Sequence, residues 1–380
     1  MTGFFVEIVF WFSILAIGYA YLGYPLILYG LLFFRRKEVQ RDIHYRPHAS
    51  LVITVHNEQD RLQKKIDNTL ALDYPRDKLE IIFASDASTD RTDEIIQSYT
   101  GFKLVRSPER KGKEYAQKCA VDQATGEILV FTDVATMLEP NGLKTIIANF
   151  ADPSVGCVSS EDRFVDNQGR ISGEGAYVRY EMFLRVMESK VHSLVGLSGS
   201  FFAARREVCK DWAVDLQSDF NTLLNSLKQG LRGVSDPQAL GYYQNISDEK
   251  KEFNRKVRTV LRGLSVLMRN LRFFNPIKYG LFSWQLFSHK LCRWLVPVFL
   301  MLALASNIYL LQISNFYVFL LGVQIVFYLL ALTCLFLEPK SSLSPVLNGL
   351  KIPYYFLVVN AAILVAWIKY FKGERAVYWE

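Results

Sequence analysis

Three acidic residues stand where apolar runs of this chain end. Glu58 follows Ser50-Leu51-Val52-Ile53-Thr54-Val55, Asp86 follows Leu79 to Ala84, and Asp133 follows Ile128 to Phe131. Carboxylates so placed can ligate a metal ion, accept hydrogen bonds from a nucleotide, or take a proton from an attacking hydroxyl. The unbroken run Ile128 to Phe131 reads as a strand buried on both faces, as in a parallel sheet covered by helices. In open α/β sheets ligands bind at the carboxyl ends of strands, which is where all three acids fall. Each also has a bland role. Asn57 could cap a helix with Glu58 in its first turn, and Ser88, Thr89 or Asp90 could cap one at Arg91. Asp133 could simply open a loop. Asp86 is left over from the capping account, and one shared site explains all three acids at once.

The elements that must position these residues alternate. Leu104-Val105 reads as a third, short strand, a helix passes through Ile95 and Ile96, and another runs from about Lys113 to Ala124 before Gly126. Strand-helix alternation implies βαβ units and an α/β fold with a mostly parallel sheet. No Gly-x-Gly-x-x-Gly follows the first strand, which argues against a nicotinamide dinucleotide. Further on, Ser198 to Arg206 reads as a turn and a strand, and Ser218-Asp219-Phe220 starts a helix with Leu223, Leu224 and Leu227 on one face. Glu252 to Arg272 is a basic helical stretch, ended by Asn275-Pro276.

The 380 residues are 51% hydrophobic with a net charge of +7, and the apolar residues are unevenly spread. Residues 1–34 are almost uncharged and long enough to cross a bilayer of ~30 Å hydrocarbon thickness. Arg35-Arg36-Lys37 follow this run rather than precede it, unlike a cleaved leader, and place the next domain on the cytoplasmic side. Residues 35–49 form a linker, 50–270 a soluble domain, 271–293 an interfacial segment, and 294–380 further spans and a tail. Within that segment Lys278 to Trp294 fits an amphipathic helix on the membrane surface. Spans are expected near 294–311, 316–337 and 352–368. With the first they make four, and parity puts the C-terminus across the membrane from the domain, whereas Lys369, Lys372 and Arg375 favour the same side. The basic excess is explained by membrane lipid as a partner, without nucleic acid. Five scattered cysteines form no CxxC pair, which argues against a disulfide framework or structural zinc.

In order, VITVHNE, FASDASTDRT, GKEYAQK, GEILVFTDVAT, GLSGSFFAARREV, SDFNTLL and EFNRKVRTVLRG resemble the membrane-bound family 2 glycosyltransferases, such as poly-N-acetylglucosamine, cellulose and hyaluronan synthases. The resemblance covers about Ser50 to Gly263 and implies a GT-A nucleotide-sugar domain flanked by transmembrane helices. It implies an inverting transfer from a UDP-sugar to a growing cell-surface polysaccharide or lipid-linked glycan, in the plasma or inner membrane, with polysaccharide synthesis or export partners. Glu58 and Asp86 would contact the uridine, Lys113 would hold the nucleotide, and Asp133 would sit near the ribose and a metal-bound diphosphate. Asp219 would be the general base on the acceptor hydroxyl, and Arg258 would bind the diphosphate. The implied cofactor is Mg²⁺ or Mn²⁺.

Two departures qualify the resemblance. Ala135 replaces the second acid of the family's Asp-x-Asp, and a methyl group cannot ligate a hard cation. This keeps open a catalytically weak, nucleotide-binding scaffold. In the Gln-x-x-Arg-Trp element of processive synthases, Arg258 is kept, but Arg255 replaces the glutamine and Thr259 the tryptophan. That change, with the few spans, favours a single-addition enzyme within the same class. Lys251, Arg255, Lys256, Arg258 and Arg262 also suit a helix docked on anionic lipid.

Overall fold

The computed structural model describes residues 2–165, 176–244, 249–333 and 345–376. The chain forms two compact units. One comprises Leu28–Ile246, Ser265–Ser283 and Ala376–Glu380, and the other Met1–Ile27, Ser247–Leu264 and Trp284–Arg375.

The first unit is built on an eight-stranded mixed sheet. Its strands are β1 (Ala49–Val55), β2 (Leu79–Ser85), β3 (Phe102–Arg106), β4 (Ile128–Asp133), β5 (Met137–Leu138), β6 (Val155–Val165), β7 (Phe201–Arg205) and β8 (Arg232–Gln244). They lie in the order β3-β2-β1-β4-β7-β6-β8-β5. From β3 to β4 every pairing is parallel, while β7 runs antiparallel to both β4 and β6. Every residue of β1 is buried. Helices cover both faces, as the continuous apolar runs require. On one face Ile53, Val55, Ile81, Phe83 and Val130 pack with Leu62 and Ile66 of the helix Gln59–Leu70. On the other, Phe131 stacks on Phe202 at 4.8 Å and lies 4.9 Å from Trp212, whose indole N–H donates to Glu114 O. Such ring pairs add about 0.5–1.5 kcal/mol beyond the area they bury.

The second unit is helical. Among the described residues four helices, Thr2–Phe34, Leu281–Leu310, Asn315–Thr333 and Ile352–Phe371, are long and apolar enough to cross a membrane. The first passes through a π turn at Tyr19–Gly23, where the Tyr24 N–H reaches Tyr19 O, immediately before Pro25, which has no N–H to give. A second π turn occupies Phe287–Cys292, and Tyr19 Oη lies 2.6 Å from Ser288 Oγ between the two.

Two boundaries differ from expectation. The basic helix runs Glu249–Arg269 and stops at Asn270, ahead of the break expected at Asn275-Pro276. The Asn270 amide donates to Val266 O, competing with the backbone for that carbonyl. Asn275 instead caps the next short helix, accepting from Ile277 and Lys278 N–H with Pro276 in the first position. The stretch read as a separate surface helix, Lys278 to Trp294, is continuous from Leu281 with the following apolar span.

Candidate active site

The site grows from the register of β4. Antiparallel pairing sets Thr132 opposite Phe201, so the residues preceding β7 arrive beside the end of β4, where Asp133 N–H donates to Ser200 O at 3.2 Å. Lys113 opens the helix Lys113–Gln123 directly after Gly112, whose φ of 95° suits glycine. Its ammonium donates to Asp133 Oδ1 at 2.5 Å and to Gly199 O at 3.0 Å. Gly199 in turn abuts Asp219: a Cβ at that glycine would lie 2.9 Å from Asp219 Oδ2. Asp219 sits in the first turn of the helix Ser218–Lys228, 5% exposed, with Oδ1 accepting from Phe220 N–H at 2.7 Å and Oδ2 from Gln217 Nε2 at 3.0 Å. Asp133, Lys113, Gly199 and Asp219 thus form one line across the carboxyl edge of the sheet.

Glu58 and Asp86 lie on the same edge but are held differently. Asp86 is fully buried, and its carboxylate accepts from the backbone N–H groups of Lys111 and Gly112 at 3.0–3.1 Å, which pins the turn that presents Lys113. Glu58 pairs with Arg61 at 2.8 Å. Burial raises the Glu58 pKa above the usual carboxylate range, against the pull of Arg61, and the charges of Asp90 and Asp133 add to the rise. Asn57 is not a helix cap. At φ 52° its side-chain oxygen accepts from Thr89 N–H at 2.8 Å, tying the β1 loop to the β2 loop. Asp90 does serve the next helix, accepting from Thr92 N–H at 3.0 Å.

Sequence reasoning passed over three residues of this site. Lys65 is fully buried, donating to Thr132 Oγ1 and Thr136 O on either side of Asp133. Burial pulls its pKa down to about 7, while the Asp133 charge opposes the shift. Its signal was a lysine on the apolar stripe Leu62, Ile66, Thr69 of an otherwise charged helix. Asp162 accepts from Ser198 Oγ and Ser200 Oγ at 2.6–2.7 Å, and burial raises its pKa. Only the pairing of β6 with β7 and β8, with its register shift between Ser159 and Glu161, brings Asp162 there. Gly199 carried no signal beyond being a glycine between two serines.

Asp133 is therefore the centre of a mixed field. Its charge raises the pKa of both Glu58 and Asp162, and the ammoniums of Lys113 and Lys65 offset it. Residues 50–212 match the family model described as Glycosyl transferase family 2. The chain carries a glycosyltransferase family 2 domain.

Relatives and folds agree with this. A poly-beta-1,6-N-acetyl-D-glucosamine synthase of Staphylococcus aureus (strain MSSA476) is 25% identical over 274 residues, 66% of this chain and 65% of the relative. The Staphylococcus epidermidis synthase of the same name is 28% identical over 178 residues, 44% of this chain and 42% of that one. This chain thus spans about 65% of the length of the S. aureus synthase. The fold matches a mannosyltransferase from Pyrobaculum calidifontis, in complex with GDP-Man and Mn²⁺, at a TM-score of 0.75 and 22% identity, covering 97% of this chain and 100% of that one. The transferase domain so defined has the expected GT-A-like α/β sheet.

Of the residues singled out in the sequence, the sheet unit holds Glu58, Asp86, Lys113, Asp133 and Asp219, and joins the last three through Gly199. Arg258 belongs to the helical unit, on the helix Glu249–Arg269. Among the described residues no three His, Cys, Asp or Glu side chains form a metal cage. Ala135 is exposed beside Asp133. A hard divalent cation held by one carboxylate, with phosphate oxygens and water completing its shell, is consistent with this donor set.

Proposed function

We propose that this transferase moves a sugar from a UDP-sugar to a hydroxyl of a growing polysaccharide or lipid-linked glycan at a membrane, with inversion at the anomeric carbon. The observation that carries the reading is the line from Asp133 through Lys113 and Gly199 to Asp219. It sets an acid and an ammonium suited to a diphosphate at one end and a single buried carboxylate at the other. An alcohol attacking the anomeric carbon must lose a proton, and Asp219 is the group to receive it. One base acting in one displacement gives inversion.

Gln217 and the Phe220 N–H orient the Asp219 carboxylate, and Gly199 leaves it room. Lys113 meets the negative charge that develops on the leaving diphosphate, and Arg258 is assigned the same task from its own helix. Glu58 and Asp86 are assigned to the uridine end, Asp86 largely through the turn it pins. Asp133 would hold Mg²⁺ or Mn²⁺, which when bound supplies Lewis-acid neutralisation of the diphosphate. The similar poly-beta-1,6-N-acetyl-D-glucosamine synthases support a glycan acceptor, and the mannosyltransferase complex supports a nucleotide-sugar donor with a divalent metal.

Single addition has support of its own. Thr259, where processive relatives carry tryptophan, turns its hydroxyl back to Arg255 O, and Arg255 pairs with Glu252 at 2.7 Å. No sugar-stacking ring stands at that position. The test is a panel of donors, UDP-sugars beside GDP-mannose, offered to the purified full chain with and without Mn²⁺. The reading expects metal-dependent release of UDP from one UDP-sugar, with product length separating a polymer from one added residue. Turnover of GDP-mannose alone would overturn the donor assignment.

A further inference from the structure

A cavity of about 490 Å³ opens in the sheet unit between the helix Ser218–Lys228 and the turn that follows Arg269. Its size is that of a ligand site. Its lining includes none of Lys113, Asp133, Gly199 and Asp219; it meets the Asp219 helix at Asn221 and extends to Lys228, roughly 13 Å along that helix from Asp219 at 1.5 Å per residue. Three cations line it, Lys228, Arg269 and Arg272, against one acid, Asp211. Of the three, Arg269 has an outside carboxylate partner, Asp215, at 2.6 Å. Lys228 donates to a neutral partner, Asn225 Oδ1, at 2.7 Å. Burial foremost, and then the neighbouring Arg272 guanidinium, lower the Lys228 pKa against the opposing charge of Asp211.

The wall is also apolar. Leu216 and Met268 line it, and Leu271 at its edge is 55% exposed. A little further along the same segment Ile277 is 96% exposed, and the next apolar span begins at Leu281. Basic side chains interleaved with bare aliphatic ones immediately before a membrane span are suited to lipid headgroups. An arginine fork and a lysine point charge are the pair that phosphate oxygens select.

We propose that this cavity binds the phosphate of an anionic phospholipid, with Lys228 and Arg272 on the phosphate oxygens and the glycerol along Leu216, Met268 and Leu271. The bound lipid sits against the C-terminal end of the helix whose first turn carries Asp219.

The full-length protein is purified in detergent and equilibrated with mixed micelles of phosphatidylcholine containing phosphatidylglycerol, and the retained lipid is counted by native mass spectrometry. The proposal expects Lys228→Gln/Arg272→Gln to retain at least tenfold less phosphatidylglycerol than the parent. Lys228→Arg should keep it, and the control pair Lys64→Gln/Lys372→Gln, whose residues do not line the cavity, should leave it unchanged. Melting curves and circular dichroism confirm that each variant is folded; if the double variant is not, Arg272→Gln alone is read, with at least a threefold loss expected. Equal retention by parent and variant overturns the site. Competition with inorganic phosphate distinguishes the source of the anion. Resistance to millimolar phosphate supports the lipid, whereas displacement by it, with phosphate binding lost in the variant, overturns the lipid assignment in favour of soluble phosphate.

Discussion

The two halves of the sheet contribute to the site in opposite ways. In the parallel half, β3-β2-β1-β4, the acids stand where topology demands, at strand ends, and their neighbours come from the very next loops: Asp86 with Lys111 and Gly112, Asn57 with Thr89. In the other half, β7 returns antiparallel along β4 and delivers Gly199 and Ser200 from far along the chain, with Asp162 and Asp219 behind them. The first half is a frame in which the Asp86 carboxylate and the Asn57 side chain already have backbone partners. The second is a close assembly in which one glycine sets the distance between a carboxylate and the Lys113-Asp133 pair. Stability should reside in the first and chemistry in the second.

Four substitutions can break or sharpen that division. The largest effect is expected from Asp219→Asn, which keeps the shape but removes the proton acceptor. Transfer should fall by about 10²–10⁴-fold, with donor affinity little changed, as single-turnover transfer and donor titration would reveal; undiminished transfer removes Asp219 as the base. Next comes Gly199→Ala. Its methyl would meet Asp219 Oδ2 at 2.9 Å, so the carboxylate must shift. A displacement on the order of 1 Å can cost about 10²-fold, and kcat should drop well before the melting temperature does.

Asp86→Ala tests the frame and should show the converse pattern. Two backbone N–H groups lose a charged acceptor inside the fold, a loss of about 1–3 kcal/mol. Denaturant unfolding should report it, alongside weaker donor binding as the turn that presents Lys113 loosens. Stability unchanged in this variant would erase the contrast between the halves.

The smallest effect is a pH dependence. The pKa of Lys65 is lowered in the folded state to about 7 from an ordinary value of 10.5. Between those values the unfolded chain binds the proton that the folded chain has lost, so this group makes stability rise with pH across that window and adds no slope below it. The difference in unfolding free energy between parent and Lys65→Met, followed from pH 6 to 10, should show that rise. A flat difference means that Lys65 stays charged against Asp133 throughout.

Much of the frame was legible because it is local. Continuous apolar runs, turn residues and the carboxyl-end rule suffice to put Glu58, Asp86 and Asp133 on one edge, since each acid directly follows its own strand. Apolar length likewise locates the helices long enough to cross a membrane among the described residues. The basic helix ended early for a reason no periodicity reveals, the Asn270 side chain taking the Val266 carbonyl. Lys65 was visible in principle, as a charge on a buried stripe, but its partners Thr132 and Thr136 lie on another element.

What the amino-acid sequence determined by itself is therefore the α/β frame, the apolar helices long enough to cross a membrane and the order of the chemical groups along the chain. Tertiary structure alone decided that Lys113 reaches both Asp133 and the Gly199 carbonyl, that Gly199 touches Asp219, and that Asp162 closes the same edge. The physical reason is the hand of one pairing. An antiparallel β7 brings the residues before it to the end of β4, where a parallel strand would have brought the residues after it, and nothing in the composition of either strand dictates which.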